Sequence, residues 1–396
     1  MRKAARTLCL SVSAGLGATA IGMPAVGSPV GSTSPEHTVV APSANPDAAH
    51  GLADVGVLSA DDIWAVGSRE DGGSASLTWV RHSDGHRWTH VPSPSPGTLQ
   101  NSLRSVSTVS ASDVWAAGAQ VDVGDSDERP LVEHWDGASW TVVAQPPVEG
   151  RAYGVSASAP DDAWLVGDFI GTPRAEHWDG SAWTDEPLEI PDVKPPYQVT
   201  LMLTYDVETL SARNAWLIGI YDAQSGDGGY ERELLSEHWD GTSWHFVALP
   251  HQTDWSYPFD ITASSPKDVW AVGTTDLGYE ERPLVAHWDG HNWTTTTQNT
   301  EGVRRTWLTG VSPVAPNDVW AVGFQDAHQR RPYAEHWDGR RWTVDGSVDP
   351  GSASSSLSGV DVAASDDVLA VGGLGTRKKG RGLTEHWDGT SWSRQR

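Results

Sequence analysis

One alternation of apolar and polar stretches recurs seven times between residues 51 and 396, at a spacing of roughly fifty residues. In the second copy, residues 103–109, with Leu103, Val106 and Val109 among polar residues, read as a short strand, and Ser110-Ala111-Ser112-Asp113 is a polar break. Residues 114–119 are small and apolar, and residues 120–130 are polar and variable. Residues 131–135 are apolar again, Asp136-Gly137 breaks the run, and residues 140–143 precede Pro146 and Pro147. Every run has strand length and every break carries turn residues, so the pattern predicts four short strands per copy. The runs are apolar or small at most positions instead of strictly alternating, which suits sheets covered on both faces. Four antiparallel strands repeated seven times predict an all-β fold, a seven-bladed β-propeller. An open β-solenoid is the alternative. The length of the unit and the copy number favour the closed ring.

The invariant part of the unit reads S-x-x-D-V-W-A-V-G, then, after a loop, E-H-W-D-G-x-x-W-T. The D-G pair stands at Asp84-Gly85, Asp136-Gly137, Asp179-Gly180, Asp240-Gly241, Asp289-Gly290, Asp338-Gly339 and Asp388-Gly389, where it predicts a tight hairpin turn of left-handed backbone. Two copies depart from the pattern: Ser83 replaces the H-W tryptophan in the first, and Leu369 replaces the D-V-W tryptophan in the last. These motifs resemble a group of secreted bacterial propeller repeat proteins described as kelch-like or galactose-oxidase-like, over residues 51–396. The resemblance implies the propeller and leaves the activity open, because the group is functionally mixed. Galactose-oxidase chemistry is excluded: its cofactor is a cysteine–tyrosine crosslink, and the one cysteine here is Cys9, in the N-terminal segment. The Asp-box of sialidases is matched only loosely, since it separates Asp and Gly that are adjacent here.

Residues 1–27 read as a signal peptide, with Arg2, Lys3 and Arg6 ahead of a run of small and apolar residues. Glycines and Pro24 interrupt that run, which argues against a membrane span. Residues 28–36 read as a linker and residues 37–396 as the propeller. Residues 37–42 resemble a fourth strand and are expected to help close the ring. The chain is expected to be secreted and monomeric. Its net charge of -25 excludes nucleic acid and anionic membranes as partners. The one basic run, residues 377–381, reads as a solvated loop.

Nineteen of the 22 tryptophans occupy repeat positions. They read as packing between blades, with a repeated sugar-stacking platform as the alternative. Seven histidines precede the D-G turns: His82, His134, His177, His238, His287, His336 and His386. A metal ring would need three or four of them to converge. Hydrogen bonds to Asp62, Asp113, Asp162, Asn214, Asp268, Asp318 and Asp367 within each blade are the simpler reading. Acidic loops around Asp122–Asp127 and Asp222–Asp227 lack calcium-loop spacing. No cofactor or metal is expected.

Function is expected where the repeat breaks, on the face bearing the variable loops. Those loops, residues 186–206, 250–260 and 298–308, supply the ligand-binding candidates Tyr197, Tyr205, Trp255, Tyr257, Arg304, Arg305 and Trp307. Aromatic side chains there stack on sugars, anchor a protein partner, or merely cap the core. No motif for nucleophilic, phosphate or metallohydrolase chemistry occurs. The expected function is a non-catalytic binding module for a carbohydrate, a cell-envelope component or a protein. A hydrolase or lyase acting on polysaccharide at the channel mouth is the alternative.

Overall fold

The computed structural model describes residues 50–395, apart from short segments at 74, 126, 145–147, 171–173, 251–252, 254, 277–279, 298–304, 327–328, 348–353 and 376–379. The expected signal peptide, the linker, the closing strand at 37–42, most of the basic run and Arg304 lie outside the described residues.

The strands form seven separate sheets, each of four antiparallel strands consecutive in sequence. This is a seven-bladed β-propeller. Blade 1 consists of His50–Ser59, Asp62–Glu70, Ser76–Ser83 and Trp88–Val91. The first strands of the blades are His50–Ser59, Gln100–Ser110, Gly150–Ala159, Gln198–Ser211, Ser256–Ser265, Thr306–Ala315 and Ser355–Ala364. All seven surround one central cavity. The last three residues of the final blade to pair, Trp392–Arg394, give it a fourth strand of its own.

The tryptophans explain why the blades pack as they do. Trp164 of blade 3 is fully buried, 4.8 Å from both Trp239 and Trp244 of blade 4, and it stacks on His177 of its own blade. The same triad, with ring centroids 4.8–6.0 Å apart, joins Trp64, Trp115, Trp216, Trp270 and Trp320 to the H-W and x-x-W tryptophans of the next blade. Burying one such ring is worth roughly 4–6 kcal/mol as an upper bound. Six of the seven interfaces are built this way. The seventh joins blade 7 to blade 1, and both departures from the repeat fall there. Leu369 takes the place of the inserting tryptophan and packs with Trp79 and Trp88, while Ser83 stands where the partner tryptophan is missing. Two substitutions nearly three hundred residues apart in sequence are thus one local change at the seam of the ring.

Six histidines bond through Nε2 to the aspartate before V-W of their own blade, at 2.6–2.8 Å. In blade 4 the acceptor position is Asn214, and burial lowers the pKa of His238. The D-G turns are longer than the tight hairpin turn expected from the sequence. Trp135 pairs with Trp140, so the connection has four residues. Asp136 Oδ1 accepts from the backbone N–H of Ala138 and Ser139, both at 2.8 Å, and closes the loop as an Asx turn. Gly137 has φ 92°, and a Cβ there would lie 2.8 Å from Ser112 Cβ, so both backbone and space require glycine.

Candidate functional site at the channel mouth

The first strands can be aligned by the residue that pairs with the glycine of D-V-W-A-V-G. Those partners are Leu52, Leu103, Ala152, Thr204, Pro258, Leu308 and Leu357. A bulge follows each of them. The bulged residues line the channel: Ala53, Arg104, Tyr153, Tyr205, Phe259, Thr309 and Ser358. One rung further out, the register-equivalent residues are Gly51, Ser102, Arg151, Leu203, Tyr257, Trp307 and Ser356. The ring is therefore lopsided. Blades 3 to 6 carry aromatic side chains at its mouth, and blades 7 and 1 carry only Gly, Ala and Ser.

The aromatic side forms a continuous arc. Tyr153 and Tyr205 lie 5.8 Å apart, Tyr205 and Phe259 6.3 Å, and Phe259 stacks on Trp307 at 5.8 Å. Trp307 continues to Phe324 at 5.3 Å, and Arg330 sits over Phe324 at 4.4 Å. Arg104 and Arg151 flank the other end, over Tyr153 at 5.5 and 5.9 Å. Trp307 is anchored by its Nε1–H, which donates to Glu281 at 2.6 Å. The small-residue side leaves a cleft of about 550 Å³ on the variable-loop face, lined by residues of blades 7, 1 and 2 and by Arg330.

Beneath the mouth, the channel cavity of about 320 Å³ holds five carboxylic acids: Asp54, Asp206, Glu208, Asp260 and Asp361. Four of them tie one blade to the next. Asp54 accepts from Val106 N–H at 2.8 Å, Asp206 from Ile261 at 3.1 Å, Asp260 from Val311 at 2.6 Å and Asp361 from Val57 at 2.7 Å. Hydroxyls complete the circle: Ser105 accepts from Val155, Ser156 from Thr209, and Ser312 donates to Asp361. All seven interfaces are crossed, including the seam between blades 7 and 1.

Burial in the ring pushes these acids up, with mutual repulsion adding to it for Asp54, Glu208 and Asp260. Asp54 and Glu208 rise to about 8 and Asp206 to about 7, Asp260 rises well above its ordinary value, and Asp361 moves the same way. The buried glutamates of the E-H-W motif follow: desolvation raises Glu176, Glu237 and Glu335 to about 8 and Glu133 well above normal. Such groups hold more protons folded than unfolded between about pH 4 and 8, so stability falls as pH rises through that window. Below about pH 4 the trend reverses. There the turn aspartates, held low by hydrogen bonds from their own loops (Asp179 at about 2), become protonated and lose those bonds. Calorimetric melting temperatures should therefore peak near pH 4 and decline by several degrees towards pH 8. A flat profile across that range would mean that the channel acids ionise as freely folded as unfolded.

The structure brings some of the sequence candidates together and separates others. Tyr205 and Trp307 belong to the arc, on strands that begin earlier than the sequence breaks implied: residues 198–206, 256–260 and 306–308 pair as sheet instead of forming loop. Tyr257 belongs to a neighbouring cluster, where Arg232 donates to its hydroxyl at 2.6 Å and grips Asp222 with two bonds of 2.7 and 2.9 Å. Tyr197 lies beside Glu231, whose charge raises its pKa. Trp255 is 56% exposed and outside the arc, and Arg305 is exposed beside Glu281. Tyr153, Phe259, Arg104 and Arg151 were not singled out from sequence. Aligning the first strands on the D-V-W-A-V-G glycine, with one residue allowed for the bulge, would have found them. Among the described residues, no group of three or more His, Cys, Asp and Glu is arranged to hold a metal ion, and no helix is long and apolar enough to cross a membrane.

No protein-family model matches the chain, and no curated protein matches it. Among solved structures, an ulvan lyase described as a polysaccharide lyase of a new family superposes with a TM-score of 0.59 at 10% identity, covering 88% of this chain and 97% of that one. The same type of lyase bound to -[GlcA(1-4)Rha3S]- gives 0.55 at 9% identity, with 89% and 93% covered. YCF48 bound to D1 peptide gives 0.51 at 15% identity, with 86% and 94% covered. At these identities the likeness establishes the propeller fold and nothing finer.

Proposed function

We propose that this protein is a secreted, monomeric binding module whose ligand is a glycan, received at the channel mouth between the aromatic arc and the small-residue cleft. The observation that carries this reading is the lopsided ring: aromatic faces on blades 3 to 6 beside an open cleft of about 550 Å³ over blades 7 and 1. Sugar rings offer apolar C–H faces and many hydroxyls, so they suit a site with aromatic walls and convergent polar groups. Channel acids that stay protonated near neutral pH add hydrogen-bond donors below it. A glycan array followed by calorimetry on the best ligand tests the reading. Trp307→Ala should weaken that ligand about tenfold while the protein stays folded. Undiminished binding by both Trp307→Ala and Phe259→Ala would move the site elsewhere.

Glu208 supports a second reading. It bonds Ser156 of blade 3 inside the channel, and burial holds it protonated to about pH 8. A protonated carboxylic acid in a channel has the form of a general acid. Turnover of a polysaccharide that disappears in Glu208→Gln would make the protein a hydrolase or lyase.

A further inference from the structure

We propose that the cleft between blades 7 and 1 is built for a single carboxylate, the acidic group of a uronic acid-type sugar, with Arg69 as the residue that grips it. The carrier's identity rests on the glycan reading; the anion site itself does not.

Arg69 lies on the second strand of blade 1, lines the cleft and is only 6% exposed. Its guanidinium stands 5.4 Å over the Trp79 ring. Its Nε is fully buried and finds no acceptor, and Arg69 makes no ion pair with any described residue. This is unusual in a chain with 52 acidic and 27 basic residues. Other arginines here do find carboxylates: Arg129 pairs with Asp122, Arg151 with Glu128, Arg174 with Asp185, Arg232 with Asp222 and Arg282 with Glu280. A second donor lines the same cleft in the same condition. Ser355 is 3% exposed, and its Oγ has no partner among the described residues. Unpartnered buried polar atoms occur elsewhere among the described residues, Ser236 Oγ and Thr306 Oγ1 for instance, but Arg69 and Ser355 share one open cleft, where a ligand can satisfy both.

The chemistry of that ligand follows from the donors. A planar guanidinium matches the two oxygens of a carboxylate, and a serine hydroxyl adds a third hydrogen bond. Arg69 is the buried guanidinium of the cleft and balances one negative charge, whereas Arg330 lies exposed at its rim over Phe324. Glu70 lines the cleft as well, and Asp71 acts on Arg69 electrostatically. With a net charge of -25 around it, the site excludes polyanions and admits an isolated monoanion on an otherwise neutral, hydroxyl-rich ligand.

Calorimetry with a xylotriose carrying one glucuronate residue, and with its methyl ester, tests the proposal, alongside thermal-shift titration with free glucuronate. The acid should bind about tenfold more tightly than the ester, the gain expected for charge-assisted hydrogen bonds. Arg69→Gln should bring the acid down to the level of the ester and leave the ester unchanged. Ser355→Ala should reduce the preference without abolishing it. Removal of an unpaired buried charge leaves the melting temperature unchanged or raises it, so a folding defect is distinguishable. Equal binding of acid and ester by the wild type, or a preference that survives Arg69→Gln, overturns the anion site and leaves the glycan reading standing. Binding of neither saccharide, with an Arg69-dependent shift by glucuronate, removes the glycan reading and keeps the anion site. Silence with all three probes removes both.

Discussion

Replacing Trp164 by alanine should destabilise the ring by about 3–5 kcal/mol, the range for deleting a large buried aromatic. The side chain is fully buried and serves two blades at once. It stacks on His177 within blade 3, and it meets Trp239 and Trp244 of blade 4 at 4.8 Å each. It also belongs to a cluster reaching from Val166 to Leu235, so the cavity left behind opens the whole interface. The seam provides the comparison. Leu369 occupies the equivalent position at the interface of blades 7 and 1, where the ring already lacks a tryptophan. Leu369→Ala should cost about 2 kcal/mol, near the low end for buried leucine. Urea midpoints with unchanged slopes would measure both values. A loss of under about 1 kcal/mol for Trp164→Ala would mean that the triads are not what holds the blades together.

The seven blades were readable because one motif states its packing role seven times over. D-V-W places a large ring on the second strand, and H-W-D-G-x-x-W places two more on the strands that meet it across the next interface. Regular spacing of that kind leaves little choice of architecture. The site was much less legible. Tyr205, Tyr257 and Trp307 were found as breaks in the repeat, but they were assigned to loops because turn-like residues surround them. Tyr257 and Trp307 pair with the far ends of the second strands and Tyr205 forms the bulge of a first strand, so tertiary pairing overrides that local composition. Tyr153 was missed because it sits inside a strand that looks ordinary in isolation, and Phe259 because it lay within the 250–260 segment read as loop; only the shared bulge shows that both stand level with Ala53 and Ser358. The channel acids were equally hidden. Asp54, Asp206 and Asp260 occupy one register position in three blades, whereas Ser105 fills it in blade 2 and glycine in the rest. Sequence alone offers no reason to group an aspartate with a serine and a glycine. The geometry does: a Cβ on Gly359 would lie 2.6 Å from the Asp54 carboxylate, so the small residue makes room for the neighbour's acid. That Ser83 and Leu369 fall at one interface was also invisible until the ring closed.

Closure itself gives the second large effect. Asp361→Ala should destabilise the propeller by about 3 kcal/mol, because several buried donors lose their acceptor together. Asp361 accepts from Val57 N–H at 2.7 Å across the seam, from the Ser312 hydroxyl of blade 6 at 2.8 Å and from Val362 N–H at 2.8 Å. It thus joins three consecutive blades at the one interface that lacks the tryptophan triad. Asp361→Asn keeps one acceptor oxygen of the same shape and should cost about 1 kcal/mol. The pH dependence separates this role from simple loss of packing. Burial raises the pKa of Asp361, so the wild type gains stability as this group takes up its proton on acidification. The alanine variant has no such group, so the gap between the two proteins should widen from pH 8 to pH 5. Thermal or urea unfolding at both pH values checks this. A gap that stays constant, or a loss at pH 7 no larger than the roughly 0.5 kcal/mol of an ordinary surface substitution such as Asp71→Ala, would show that the ring is closed by something other than Asp361.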